Sequence, residues 1–178
     1  MPVHADEPIG PFPEGVDPVE YDKLRRRVLW TMPSGLYVVG SRHDGRRNLM
    51  TLNWATQLSF EPKLIGVGVE RGAVTHELIS GGRAFTLSIV DREDRAIVRK
   101  FVKPVVDDGT LNGFEVFERA TGAPILSQCV AWLDCELRQA IDTGGHTLFV
   151  GEIVACAFEK DESTPVLRME DTRMNYGG

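Results

Sequence analysis

The chain has 178 residues, enough for one domain with a buried core and terminal arms. Its 42% hydrophobic and 26% charged residues match an ordinary soluble protein, and its net charge of −6 lacks the basic footprint of a nucleic-acid binder. No apolar run approaches a membrane span, and acids and prolines stand where a signal peptide needs basic then apolar residues, so a cytoplasmic location is expected.

Residues 1–16 contain four prolines and few periodic apolar positions, and read as an N-terminal arm ahead of a domain at 17–160. Asp17-Pro18-Val19-Glu20 is a helix start: an N-cap, a proline at the first position, then an acid in the first turn. Leu24, Val28 and Leu29 give this helix an apolar side, and Met32-Pro33-Ser34-Gly35 ends it. Arg25-Arg26-Arg27 on the helix and Arg46-Arg47 beside a turn read as solvated surface. A strand is predicted over 36–41, and His43-Asp44-Gly45-Arg46 is a turn signal that makes a hairpin with the stretch that follows.

Residues 48–62, NLMTLNWATQLSFEP, are predicted as one strand with two unlike faces. With period two, Met50, Leu52, Trp54 and Leu58 form a core face. The other face carries Thr51, Asn53, Ala55, Gln57 and Ser59, all small or polar and uncharged. Short side chains allow a flat ligand close to the backbone, while amides and hydroxyls supply hydrogen bonds; an ordinary solvated edge is the plainer reading of the same residues.

A further strand spans 64–70, and Gly66 and Gly68 on one of its faces predict close approach of another backbone or strong coiling. A short helix over 75–80 is stopped by Gly81-Gly82. A strand at 84–90 leads into a helix capped by Asp91 and ending near Phe101, after which 103–127 are mostly loop. Two long strands, 128–141 and 147–159, complete a closed or nearly closed antiparallel barrel, and residues 161–178 read as a C-terminal arm.

Arg71-Gly72-Ala73-Val74-Thr75-His76 joins a strand to a helix, where free N–H groups, an Arg and a Thr hydroxyl suit a phosphate or mark an ordinary helix start. Gly144-Gly145-His146-Thr147 is a hairpin turn that sets a histidine at a strand entrance. The four histidines lack ligand spacing, and Cys129, Cys135 and Cys156 lack any CxxC pattern, so neither metal nor disulfide is expected. The three cysteines read as small buried hydrophobes in strands. There is no GxSxG elbow, dinucleotide fingerprint, P-loop or HExxH.

In order along the chain, Pro33-Ser34-Gly35-Leu36-Tyr37-Val38-Val39, Met50-Thr51 through Ser59 and Pro62, Thr75 to Ile79 with Gly81 and Phe85, and residues 144–154 (GGHTLFVGEIV) resemble the flavin reductase-like family over about residues 30–160. The resemblance implies a mainly β fold with short helices, an antiparallel split β-barrel of the FMN-binding type. It implies FMN as cofactor, with FAD as the alternative, and NADH or NADPH as co-substrate. Cofactor contacts fall on Asn53, Trp54, Ala55, Thr56, Ser59, Pro62, Arg71, Thr75, His76 and Phe85, with Arg71 and Thr75 at the phosphate. His146 becomes the catalytic residue, near the flavin and the nicotinamide. A homodimer is implied, with the C-terminal arm over the partner's site, and a monooxygenase as recipient of reduced flavin. Two departures stand out: Gly145 replaces the acid common before the histidine, and Lys63 the second proline of a frequent Pro-Pro. A flavoredoxin-like electron carrier and a non-catalytic ligand-binding barrel are the competing readings.

Overall fold

The computed structural model describes residues 8–174. Helix α1, Pro18–Leu29, begins as its sequence dictates: the Asp17 side chain accepts a hydrogen bond from the Glu20 N–H at 2.9 Å. Its expected apolar side, Leu24, Val28 and Leu29, is nevertheless exposed, and its buried residue is Asp22, held by Arg25 and Arg26.

Strands β1 (Tyr37–His43) and β2 (Arg46–Leu52) make the predicted hairpin, and β3 (Ala55–Phe60) and β4 (Lys63–Glu70) make a second. The single strand expected over 48–62 is thus two, because the chain leaves one edge of the sheet at Asn53-Trp54 and enters the other. Helix α2, Val74–Gly82, and strand β5, Ala84–Ile89, follow. Instead of ending at Gly81-Gly82, α2 runs through both and stops at Arg83, which takes the left-handed conformation. The glycines are there for space: a Cβ on Gly82 would sit 1.9 Å from the Arg42 carbonyl oxygen, and one on Gly81 would enter the His43 ring.

The helix expected after Asp91 is two short 3-10 helices, Arg92–Asp94 and Ile97–Phe101. Short strands β6 (Val116–Phe117) and β7 (Ile125–Leu126) pair within the loop region. The long hairpin of β8 (Ala131–Asp142) and β9 (His146–Phe158) closes the sequence of strands.

Seven strands form one antiparallel sheet in the order β2-β1-β5-β8-β9-β4-β3. Leu52 on one edge strand shares a core cluster with Ile65, Val67 and Val69 at the other side, together with Val39, Phe85 and Phe149. A flat sheet would hold them about 20 Å or more apart at the usual strand spacing, so the sheet curls around this core. The edges β2 and β3 do not pair with each other, which makes the barrel split rather than closed.

A second cluster, including Leu36, Val38, Leu49, Val90, Phe101 and Leu167, packs under the 3-10 helices and the chain end. Leu167 exchanges backbone hydrogen bonds with Val90 and Leu36, so the C-terminal segment packs on its own chain at least through Met174. Residues 175–178 of the expected arm, and 1–7 of the N-terminal one, lie outside the described residues. Cys129 and Cys135 are buried, and burial pushes both thiols up to about 12. Cys156, expected to be buried, is exposed because the β9 end faces outward there. No helix among the described residues is long and apolar enough to cross a membrane.

Candidate functional site

Where the two edges of the sheet nearly meet, β4, α2 and the β8–β9 hairpin bring several chemistry-bearing side chains together. Glu70, the last residue of β4, lies opposite His146, the first of β9. The Arg71 N–H donates to the Gly145 carbonyl at 2.9 Å, fixing the strand-to-helix loop to the hairpin turn. Trp54, at the entrance to β3, places its ring 4.5 Å from the His146 ring at an interplanar angle of 47°. His76 Nε2 is 2.8 Å from the Thr147 hydroxyl, and its ring lies 5.1 Å from that of Phe149.

The paired glycines of β4 make room for this arrangement. A Cβ on Gly68 would lie 3.2 Å from the Trp54 ring, and one on Gly66 would crowd Leu58 and Leu148. The close approach expected at these glycines is therefore by side chains, not by a second backbone. It also explains why Trp54 and Leu58 are not the core residues that the period of two predicts: they lie over β4 and remain 39% and 44% exposed.

Both histidines are biased toward the neutral form. Burial lowers the His76 pKa, and the charge of Arg71 lowers it further. Burial lowers that of His146, and Glu70 opposes the shift. Arg71 forms an ion pair with Asp142 at 2.7 Å, near the outside of the site.

The N-terminus of α2 is also distinctive. Its N-cap is Ala73, which has no side chain able to satisfy the first N–H groups, and none does so. Gly72 beside it and Gly145 in the hairpin both face open space. Uncapped N–H groups, a neighbouring guanidinium and open glycines fit an anionic group.

The expected contact residues divide into three groups. Trp54, Arg71, His76 and His146 come together, and Asn53 and Ala55 flank Trp54, both partly exposed. Thr56 is exposed on β3, whereas Ser59 and Pro62 lie at the far end of the β3–β4 hairpin. Six residues of β4 separate that end from Glu70, about 20 Å at the usual strand rise. Thr75 and Phe85 point inward. Thr75 is fully buried, with its hydroxyl accepting from Asn48 Nδ2 at 2.9 Å, and Phe85 packs in the core against Gly151. A Thr beside a helix start and a Phe in a strand carry no sequence mark of which side they face.

Sequence reasoning missed Asp142, Glu70 and Thr147. Hairpin register was the available signal, since counting back from the Gly-Gly turn sets Asp142 opposite Thr147. Among the described residues no group of three or more His, Cys, Asp or Glu is placed to hold a metal.

A family description, the flavin reductase like domain, matches residues 29–177. The chain is 32% identical over 153 residues to the NADH-dependent FAD reductase of Streptomyces globisporus, covering 82% of this chain and 81% of that one. The solved NADH:FAD oxidoreductase of Streptomyces globisporus C-1027 superposes with a TM-score of 0.73 at 27% identity, covering 90% of this chain and 89% of the other. An FMN-binding protein from Thermus thermophilus superposes with a TM-score of 0.66 at 32% identity, covering 72% and 74%.

Proposed function

We propose, from the premise that the chain belongs to the flavin reductase-like family, that it is a flavin reductase taking hydride from NADH or NADPH. The observation that carries the reading is the tilted contact of the Trp54 and His146 rings at the open edge of the sheet, next to Arg71 and the uncapped start of α2. FMN is the flavin that suits this site best, with its phosphate at Arg71 and the N–H groups of Val74 and Thr75. The flavin ring follows the short residues Asn53, Ala55 and Thr56. The bound flavin supplies a hydride acceptor, and the protein supplies close stacking rather than a strong base.

The residues have separable tasks. Trp54 and His146 form an apolar, largely neutral wall that orients the rings and keeps water from one side. Glu70 is placed to favour the protonated form of His146, so the histidine can manage a proton as charge develops beside it. Thr147 holds His76 over Phe149 and keeps the floor of the site in place. Thr75 supports the site through Asn48 and the helix rather than by touching the flavin.

The apolar surface of β3, where Phe60 is 86% exposed, supports a homodimer formed at this edge. A cytoplasmic monooxygenase that consumes reduced flavin is the partner this activity calls for.

The deciding experiment is oxidation of NADH and of NADPH by the purified protein with FMN and with FAD. Turnover with at least one pair is expected, and none with any pair overturns the proposal. Gly145 favours a second reading, because the position has room for the missing acid and yet carries none. A flavoredoxin-like carrier would keep its flavin, accept electrons from a protein donor and ignore both nicotinamides.

A further inference from the structure

The guanidinium assigned to the phosphate already has an acid on it. Arg71 Nη2 lies 2.7 Å from Asp142 Oδ2, while Asp142 Oδ1 accepts the Gly144 N–H at 2.8 Å. One carboxylate thus braces the hairpin turn and faces Arg71. We propose that Asp142 is an internal competitor for Arg71, occupying the guanidinium until a flavin phosphate replaces it and so setting how loosely a phosphorylated flavin is held. This inference rests on the flavin reading above.

Three features support it. Both partners are more than half exposed, at 53% and 60% of their side chains, so the pair is screened and exchanges at small cost. The turn fixes Asp142 through Gly144, so its charge stays close after the phosphate has taken Arg71. Glu70, next to Arg71 in the chain, adds a second negative charge to the same corner. Arg46 and Arg47 of β2 are paired in their own right, with Glu77 and with Asp107. A phosphate dianion therefore meets one guanidinium that is already neutralised, the arrangement of a site that exchanges its flavin rather than keeping it.

The test is a titration of FMN and of riboflavin, which has no phosphate, followed by flavin fluorescence. Asp142→Asn is the informative variant, because the amide oxygen can still accept the Gly144 N–H. It is expected to tighten FMN about fivefold, or about 1 kcal/mol at 1.4 kcal/mol per factor of ten, and to leave riboflavin within about twofold. Asp142→Ser, whose hydroxyl can also cap the turn, should behave alike and guards against one misfolded variant. In an Arg71→Ala background the Asp142→Asn gain should shrink to about twofold or less. Unchanged FMN binding in both Asp142 variants, or equal changes for both flavins, overturns the inference while leaving the flavin reading intact. Failure of the unaltered protein to bind either flavin overturns that reading and this inference together.

Discussion

The two edges of the sheet are built on opposite principles. At the β2 edge the chain covers itself: Leu49 is fully buried, and buried Asn48 donates to Thr75 and accepts from the Val105 N–H at 3.1 Å. At the β3 edge the chain leaves Trp54, Leu58 and Phe60 in view. The first edge is covered by packing and by hydrogen bonds to other parts of the chain; the second presents apolar side chains to its surroundings. A fold that spends buried hydrogen bonds on one edge can leave the other open without losing its register.

The sharpest way to break this contrast is Asn48→Ala, which strips one buried and one partly buried hydrogen bond and orphans the Val105 N–H. A loss of about 2–3 kcal/mol in urea denaturation is expected. Phe60→Ser at the opposite edge should change the stability of the monomer by no more than about 0.5 kcal/mol, while weakening self-association in sedimentation. Similar losses for both would show that the edges do not differ in the way described.

Within the open edge, Arg71→Ala should weaken FMN about tenfold and riboflavin little, as a charge-assisted phosphate contact requires. Equal weakening of both flavins by equilibrium titration would remove Arg71 from the phosphate. His146→Ala should lower kcat about fivefold and flavin affinity less; unchanged steady-state kinetics would make it only a wall of the hairpin.

Acidity should produce the smallest effect. The folded-state pKa values of His76 and His146 lie below the ordinary histidine value, so the unfolded chain takes up protons first as pH falls. Their contribution to stability is complete above about pH 6.5 and declines as pH falls below it. Thermal melts from pH 7.5 to 5.5 should show this decline, and His76→Asn should reduce it; a slope unaltered by that change would place the sensitivity elsewhere.

Much of this was written in the sequence. Asp17 capped α1 as expected, and the Asp44-Gly45 turn and the long β8–β9 hairpin followed from local signals. The break at Asn53-Trp54 was not legible, because a period of two continues across a point where the chain changes edges. Gly81 and Gly82 looked like a helix stop, but they answer to His43 and Arg42, residues some forty positions earlier. At the site, Arg71, His76 and His146 carried visible chemistry, whereas Trp54 read as core by its period and lies instead against His146, 39% exposed. Thr75 and Phe85 matched a family pattern just as well, yet Thr75 sits on the buried side of α2 against Asn48, and Phe85 on the core side of β5. Asp142 was passed over for the opposite reason: an acid near a turn looks like surface, and only the hairpin register hints at its place beside Arg71.

The most direct test of an open edge built to hold a flavin for reduction is an anaerobic mixing experiment. Protein preincubated with FMN is mixed with NADH, or with NADPH, and the visible absorbance of the flavin is followed. Rapid bleaching that is lost or strongly slowed in a Trp54→Ala, His146→Ala double variant is the predicted result. Bleaching at the same rate in that variant, or none with either nicotinamide in the unaltered protein, would contradict the account.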